Sequence, residues 1–160
     1  MEPHYYNVDI NWNKDRKGLM CSPELTEEAG SCIEVATPPQ FPKGIPGIWS
    51  PEHYFTAAVS SCLMTTFLAV AELSRLDFSN FSCSAKGKLE KADGGVLEMS
   101  EVVLYPVVSI YNEKDRNRAE RVLQKSEKAC LISNSIKFKV IMIPKIEVIE
   151  TEIGEPVNEL

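Results

Sequence analysis

The sequence predicts an α+β fold in which a long buried central helix and a second amphipathic helix are packed with antiparallel sheets. Three observations predict it. The stretch Ser50–Arg75 carries no charge between Tyr54 and Ala71, and a helix that is apolar all round must be buried. A second helical stretch has Ala119, Val122, Leu123, Ala129 and Cys130 on one face, at the three-and-four spacing of an amphipathic helix. The segments around these helices alternate apolar and polar residues at the period of a strand, and strands and helices fall in separate blocks rather than in strict alternation.

Tyr6, Val8, Ile10 and Trp12 alternate with polar neighbours and predict a first, half-buried strand. The basic cluster Lys14, Arg16, Lys17, closed by Gly18, reads as a hairpin tip leading to a strand at Leu19–Cys21. Ser22–Gly30 is an acidic, polar loop and Cys32–Ala36 a short strand. Residues 37–49 are rich in proline and glycine, too broken for regular structure, and predict a long surface loop. Ser50 caps the central helix, Pro51 suits its first position, and Glu52 complements its dipole.

Phe81–Glu90 alternates again, Ala92-Asp93-Gly94-Gly95 is a hairpin turn, and Val96–Ile110 is the returning strand. Pro106 within that strand predicts a bulge or an edge position. Asn112 is the candidate cap of the amphipathic helix, whose outer face carries Glu120, Arg121, Gln124 and Lys128. Ile136–Val148 returns to strand with Pro144 interrupting, and residues 150–160 form an acidic tail. With 160 residues, of which 44% are hydrophobic, the chain reads as a single domain.

A net charge of -6 argues against a nucleic-acid partner. The 18 uncharged residues of the central helix are borderline for spanning a bilayer, and they include Thr56, Ser60, Ser61, Thr65 and Thr66. The soluble-core reading, without a membrane, is the expectation. The start MEPHYYNVDI has neither a basic nor an apolar run and does not read as a signal peptide. Five cysteines without a secretion signal predict free thiols in a reducing compartment, the cytoplasm. No CxxC pair occurs and His4 and His53 are far apart, so neither a metal nor a cofactor is expected.

Cys62 lies inside the central helix and Cys130 ends the second helix on its apolar side, 68 residues later. Two buried helices in one small domain can bring such thiols together, and α-carbons within about 7 Å allow a disulfide. A thiolate can attack a peroxide to give a sulfenic acid, which a second thiol converts to a disulfide. A buried thiol needs a nearby positive group to be reactive. Arg16 is the candidate, with Lys14 and Lys17 as neighbouring alternatives, and Glu52 is its candidate carboxylate partner. Ten helical positions separate Glu52 from Cys62, a rise of about 15 Å. Either the helix bends, or Glu52 serves Cys62 of a second subunit in a homodimer.

SPEHYFTAAVSSCLMTTF resembles the OsmC/Ohr family signature, in which Pro-Glu opens a helix that leads to a cysteine. KACLISNSI is similar to that family's second cysteine motif, and Arg16-Lys17-Gly18 to its early Arg-x-Gly turn. The resemblance spans roughly residues 6 to 148. It implies an intertwined homodimer, with sites at the subunit interface, that reduces organic hydroperoxides. Cys62 would be the peroxidatic and Cys130 the resolving thiol, with Arg16 and Glu52 as the activating ion pair. It also implies a dithiol reductant, with lipoylated proteins the usual donor in the Ohr branch. Leu131 stands where the family has proline, Trp49-Ser50 replaces a polar pair, and the proline-rich loop is longer. Cys21, Cys32 and Cys83 match no catalytic motif and read as structural. The competing reading is a non-enzymatic member of the same fold, a small-molecule binding or stress-associated protein whose thiols are structural. A cysteine hydrolase lacks a plausible histidine, since His53 lies on the helix of Cys62 nine positions away.

Overall fold

A computed structural model describes residues 2–25 and 30–149. Part of the loop expected at Ser22–Gly30 and the acidic tail lie outside the described residues. By its internal contacts the chain divides into two compact units, residues 1–55 and 56–160.

The first unit holds an antiparallel sheet in the order β1–β2–β3, with β1 at Asp9–Lys14, β2 at Lys17–Cys21 and β3 at Cys32–Ala36. The first strand starts later than its alternation predicts, and every residue of it is exposed. An alternating pattern marks a strand that can be covered on one face; within a single chain β1 is not covered. Cys21 and Cys32 face each other across β2 and β3 and form a disulfide, with α-carbons 4.1 Å apart. This corrects the expectation of free thiols throughout. The proline-rich segment 37–49 contains no helix or strand, as expected.

Helix α1 spans Pro51–Leu73. Ser50 is fully buried ahead of it, and its hydroxyl meets Nδ1 of His53 at 2.8 Å. Its backbone N–H donates to the same nitrogen at 3.2 Å. The side chain expected to bond the first amides is thus held by histidine. The helix ends in a Schellman turn, in which Leu76 N–H donates to Ala71 C=O and Arg75 N–H to Glu72 C=O. Arg75 takes the left-handed conformation usually given to glycine, with φ 50°.

Only the stripe Val59, Leu63, Phe67, Ala71 is buried, while Met64, Leu68 and Leu73 are exposed. The helix expected to be buried all round is therefore covered on one side within a single chain. By length and composition α1 could cross a membrane. Phe67 and Ala71 of its buried stripe instead belong to the core of the second unit. Phe67 stacks on Phe81 with centroids 4.6 Å apart, and meets Phe78 edge-on at 5.1 Å.

The second unit is built on a long hairpin, β4 (Phe78–Lys91) and β5 (Leu97–Ile110), turning at Gly94 and Gly95 with positive φ. Strands β6 (Val140–Met142) and β7 (Lys145–Val148) both pair with β5 in parallel, so this sheet is mixed rather than antiparallel. Pro106 corrects its expectation: it is fully buried in the central strand, with no register shift beside it. The pairing with β6 ends at Leu104 and that with β7 begins at Val107, so no strand is paired to Pro106 on that side. That gap accommodates a residue without an N–H.

Helix α2 spans Arg116–Ala129 after a short 3₁₀ turn at Glu113–Asp115. Asn112 precedes that turn but makes no side-chain cap. Ala119, Val122 and Leu123 join Phe67, Ala71, Leu76, Val108 and Ile110 in one core. Ser126 is buried and Ala129 exposed, which corrects the apolar face at its last turn. Ser126 satisfies its hydroxyl on Val122 C=O at 2.7 Å, the back-bond that lets a small polar residue occupy a core position. Arg116 ties the helix to Ile146 C=O on β7, and Arg118 ties it to Arg75 C=O at the end of α1.

Candidate active site

In the second unit, Cys62 and Cys130 come together. Cys62 is half-buried midway along α1, beside the buried Leu63. Cys130 is buried at the C-cap of α2, its N–H donating to Glu127 C=O. There the helix gives way to extended backbone, so the chain turns back and presents the amides of Leu131 and Ile132. Burial pushes the Cys62 thiol up, but hydrogen bonds from the Cys130 thiol, the Ile132 amide, the Thr66 hydroxyl and the Leu131 amide outweigh it. The net shift of Cys62 is downward. Cys130 moves the other way, raised by burial and by its bond to Cys62, and eased only in part by Ser133. The Ser133 hydroxyl donates to the Cys130 sulfur at 3.1 Å.

The arrangement is chemically asymmetric. Of the two sulfurs Cys62 ionises more readily, and Cys130 holds its proton more firmly. Thr66, Ser133 and the two amides are site residues that sequence reasoning missed. Thr66 follows Cys62 by one helical turn and Ser133 belongs to the second cysteine motif, so both carried a signal. The amides carried none.

In the first unit, Arg16 and Glu52 line one cavity of about 790 Å³ whose walls include Trp12, Val35, Pro38 and Phe41. Arg16 lies in the tight turn between β1 and β2, where Asp15 has φ 51°. Trp12 Nε1 donates to Asp15 C=O at 3.1 Å, and Thr37 N–H donates to Arg16 C=O at 3.0 Å. Gly18 is required here, because a β-carbon would stand 2.6 Å from Asn11 C=O. Lys17 lines the same cavity and is engaged with Glu34 at 2.9 Å, Lys14 is not among the lining residues, and Arg16 and Glu52 line it together. Among the described residues no group of three or more histidine, cysteine or acidic side chains forms a metal-binding cluster.

A family model described as OsmC-like protein matches residues 44–143. The chain belongs to the OsmC-like protein family. The matched region contains Glu52, Cys62 and Cys130, while Arg16 precedes it. The OsmC-like protein VCA0330 of Vibrio cholerae has a similar structure, with TM-score 0.76 and 23% identity over 89% of this chain and 99% of that one. An organic hydroperoxide resistance protein OsmC of Legionella pneumophila gives TM-score 0.71 and 18% identity, covering 92% of this chain and all of that one (100%). OhrB of Bacillus subtilis, an organic hydroperoxide resistance protein, gives 0.63 and 16%, covering 91% and 98%. In sequence the chain is 22% identical to the uncharacterized protein YmaD of Bacillus subtilis over 88% of this chain and 91% of that one. At these identities the structural matches establish the OsmC-like fold.

Proposed function

We propose that this OsmC-like protein is a thiol peroxidase that reduces organic hydroperoxides. The observation that carries the reading is the hydrogen bond from the Cys130 thiol to the Cys62 sulfur. It supports a nucleophile and its resolving partner already in contact. The Cys62 thiolate attacks the terminal oxygen of ROOH; the O–O bond breaks, ROH leaves with a proton, and Cys62 becomes a sulfenic acid. The Cys130 thiol then attacks that sulfur, releasing water and forming the Cys62–Cys130 disulfide. A dithiol, in the cell a lipoylated protein, supplies two electrons to restore both thiols.

Arg16 and Glu52 act in this reading as the pair that orients the peroxide, whose hydrocarbon body suits the apolar walls of their cavity. Glu52 precedes Cys62 by ten residues along α1, a separation that supports a homodimer in which one chain serves the other. The exposed β1 strand and the uncovered side of α1 are the surfaces for that contact. The compartment is the cytoplasm, where the two catalytic thiols stay reduced between turnovers.

Cumene hydroperoxide consumption with dithiothreitol tests the proposal. Cys62→Ser is expected to abolish turnover, and Cys130→Ser, given peroxide without dithiothreitol, to consume one equivalent and stop with a sulfenic acid on Cys62. Undiminished turnover in Cys62→Ser would end the reading.

A further inference from the structure

The Cys21–Cys32 bond has no part in that chemistry, yet it is not sealed into a core. It joins directly opposed residues at the end of the β2–β3 ladder, and Cys32 is exposed. Cys32, but not Cys21, lines a separate cavity of about 660 Å³ with Ile33, Glu34, Ile48, Trp49 and Tyr54. This cavity shares no lining residue with that of Arg16 and Glu52. Its wall is built: Trp49 stacks on Tyr54 with centroids 5.5 Å apart, and the Tyr54 hydroxyl donates to Glu34 C=O at 2.5 Å. Trp49 nevertheless leaves 55% of its surface open.

We propose that the Cys21–Cys32 disulfide is a second thiol–disulfide exchange site, which takes uncharged thiols and dithiols with an apolar body. Exchange needs a thiolate to reach one sulfur of the bond, and access decides which sulfur is attacked. The cavity gives that access to Cys32. An apolar body lies against Trp49, Ile33 and Ile48. The chain's net charge of -6 disfavours anionic thiols. The incoming thiolate bonds to the Cys32 sulfur, the Cys21–Cys32 bond breaks, and Cys21 leaves as a thiolate that takes up a proton. With a dithiol, its second thiolate attacks its own bound sulfur and releases Cys32. Two electrons pass from the dithiol, now a cyclic disulfide, to the cysteine pair.

The full-length Cys62→Ser protein provides the test, so that the outcome does not depend on peroxidase activity. It is air-oxidised and treated with benzyl mercaptan or with glutathione at equal thiolate concentration, then quenched with acid and mapped by peptide mass spectrometry. The expected result is a benzyl mixed disulfide on Cys32 rather than Cys21, formed at least tenfold faster than the glutathione adduct. Trp49→Ala should remove most of that preference while leaving the glutathione rate unchanged. Adducts divided equally between the two cysteines, no preference for the apolar thiol, or no Cys21–Cys32 bond in the oxidised protein would each overturn the proposal.

Discussion

Gly87 on β4 tests how α1 is seated on the sheet. A β-carbon there would lie 2.2 Å from Thr56 Oγ1 and 2.7 Å from the Met99 methyl. The methyl ends a flexible side chain and can swing away, whereas a β-branched threonine has few rotamers in a helix. Gly87→Ala therefore overpacks the contact, at about 1–3 kcal/mol. The loss of unfolded-state freedom returns roughly 0.4–1 kcal/mol, so a net destabilisation of about 1–2 kcal/mol is expected. In a Thr56→Ala background the new methyl would instead stand 3.5 Å from the β-carbon of residue 56, an ordinary contact. The same glycine substitution should then be neutral or stabilising, with a coupling of about 1–3 kcal/mol. Urea unfolding of the four proteins, followed by circular dichroism, measures it. Additivity within about 0.5 kcal/mol would refute the seating, and with it the claim that this contact holds the helix carrying Cys62 against β4.

Alkylation rates should show Cys62 titrating below an ordinary thiol and Cys130 above it, as their opposite shifts require. Cys130→Ala removes a donor that stabilises the Cys62 thiolate, so Cys62 should titrate higher and react more slowly with iodoacetamide at pH 7. An unchanged profile would remove the asymmetry on which the peroxidase reading draws. Arg75→Gly relieves a left-handed residue at the end of α1 and should raise stability by about 1 kcal/mol, measured by urea unfolding. Replacing Cys21 and Cys32 together by serine opens a loop whose ends are 11 residues apart. By the chain-entropy relation this costs roughly 3 kcal/mol, and unfolding of the oxidised protein beside the double variant checks it.

Much of the fold is legible in the chain because its signals are local. Ser50-Pro51-Glu52 marks the start of α1, and Gly94-Gly95 gives the hairpin turn its positive φ. The same holds for Cys62 and Cys130 as candidates, each carried by its own short motif. Other features depend on partners far along the sequence. Pro106 reads as an edge or bulge residue, but β6 and β7 leave a gap beside it in the central strand. Ala129 fits the helical period, yet the helix ends there and Ser126 is buried instead.

The sequence by itself determined the two helices, the hairpin and which cysteines to examine, since periodicity and capping are set by near neighbours. Only the tertiary structure decided which thiols are bonded and which are brought together. Counting cysteines suggested free thiols throughout, whereas strand register sets Cys21 opposite Cys32 and closes a bond. Packing of α1 with the end of α2 brings Cys130 and the amides of Leu131 and Ile132 to Cys62. A thiol's charge depends on the donors that reach it, and those donors come from distant parts of the chain.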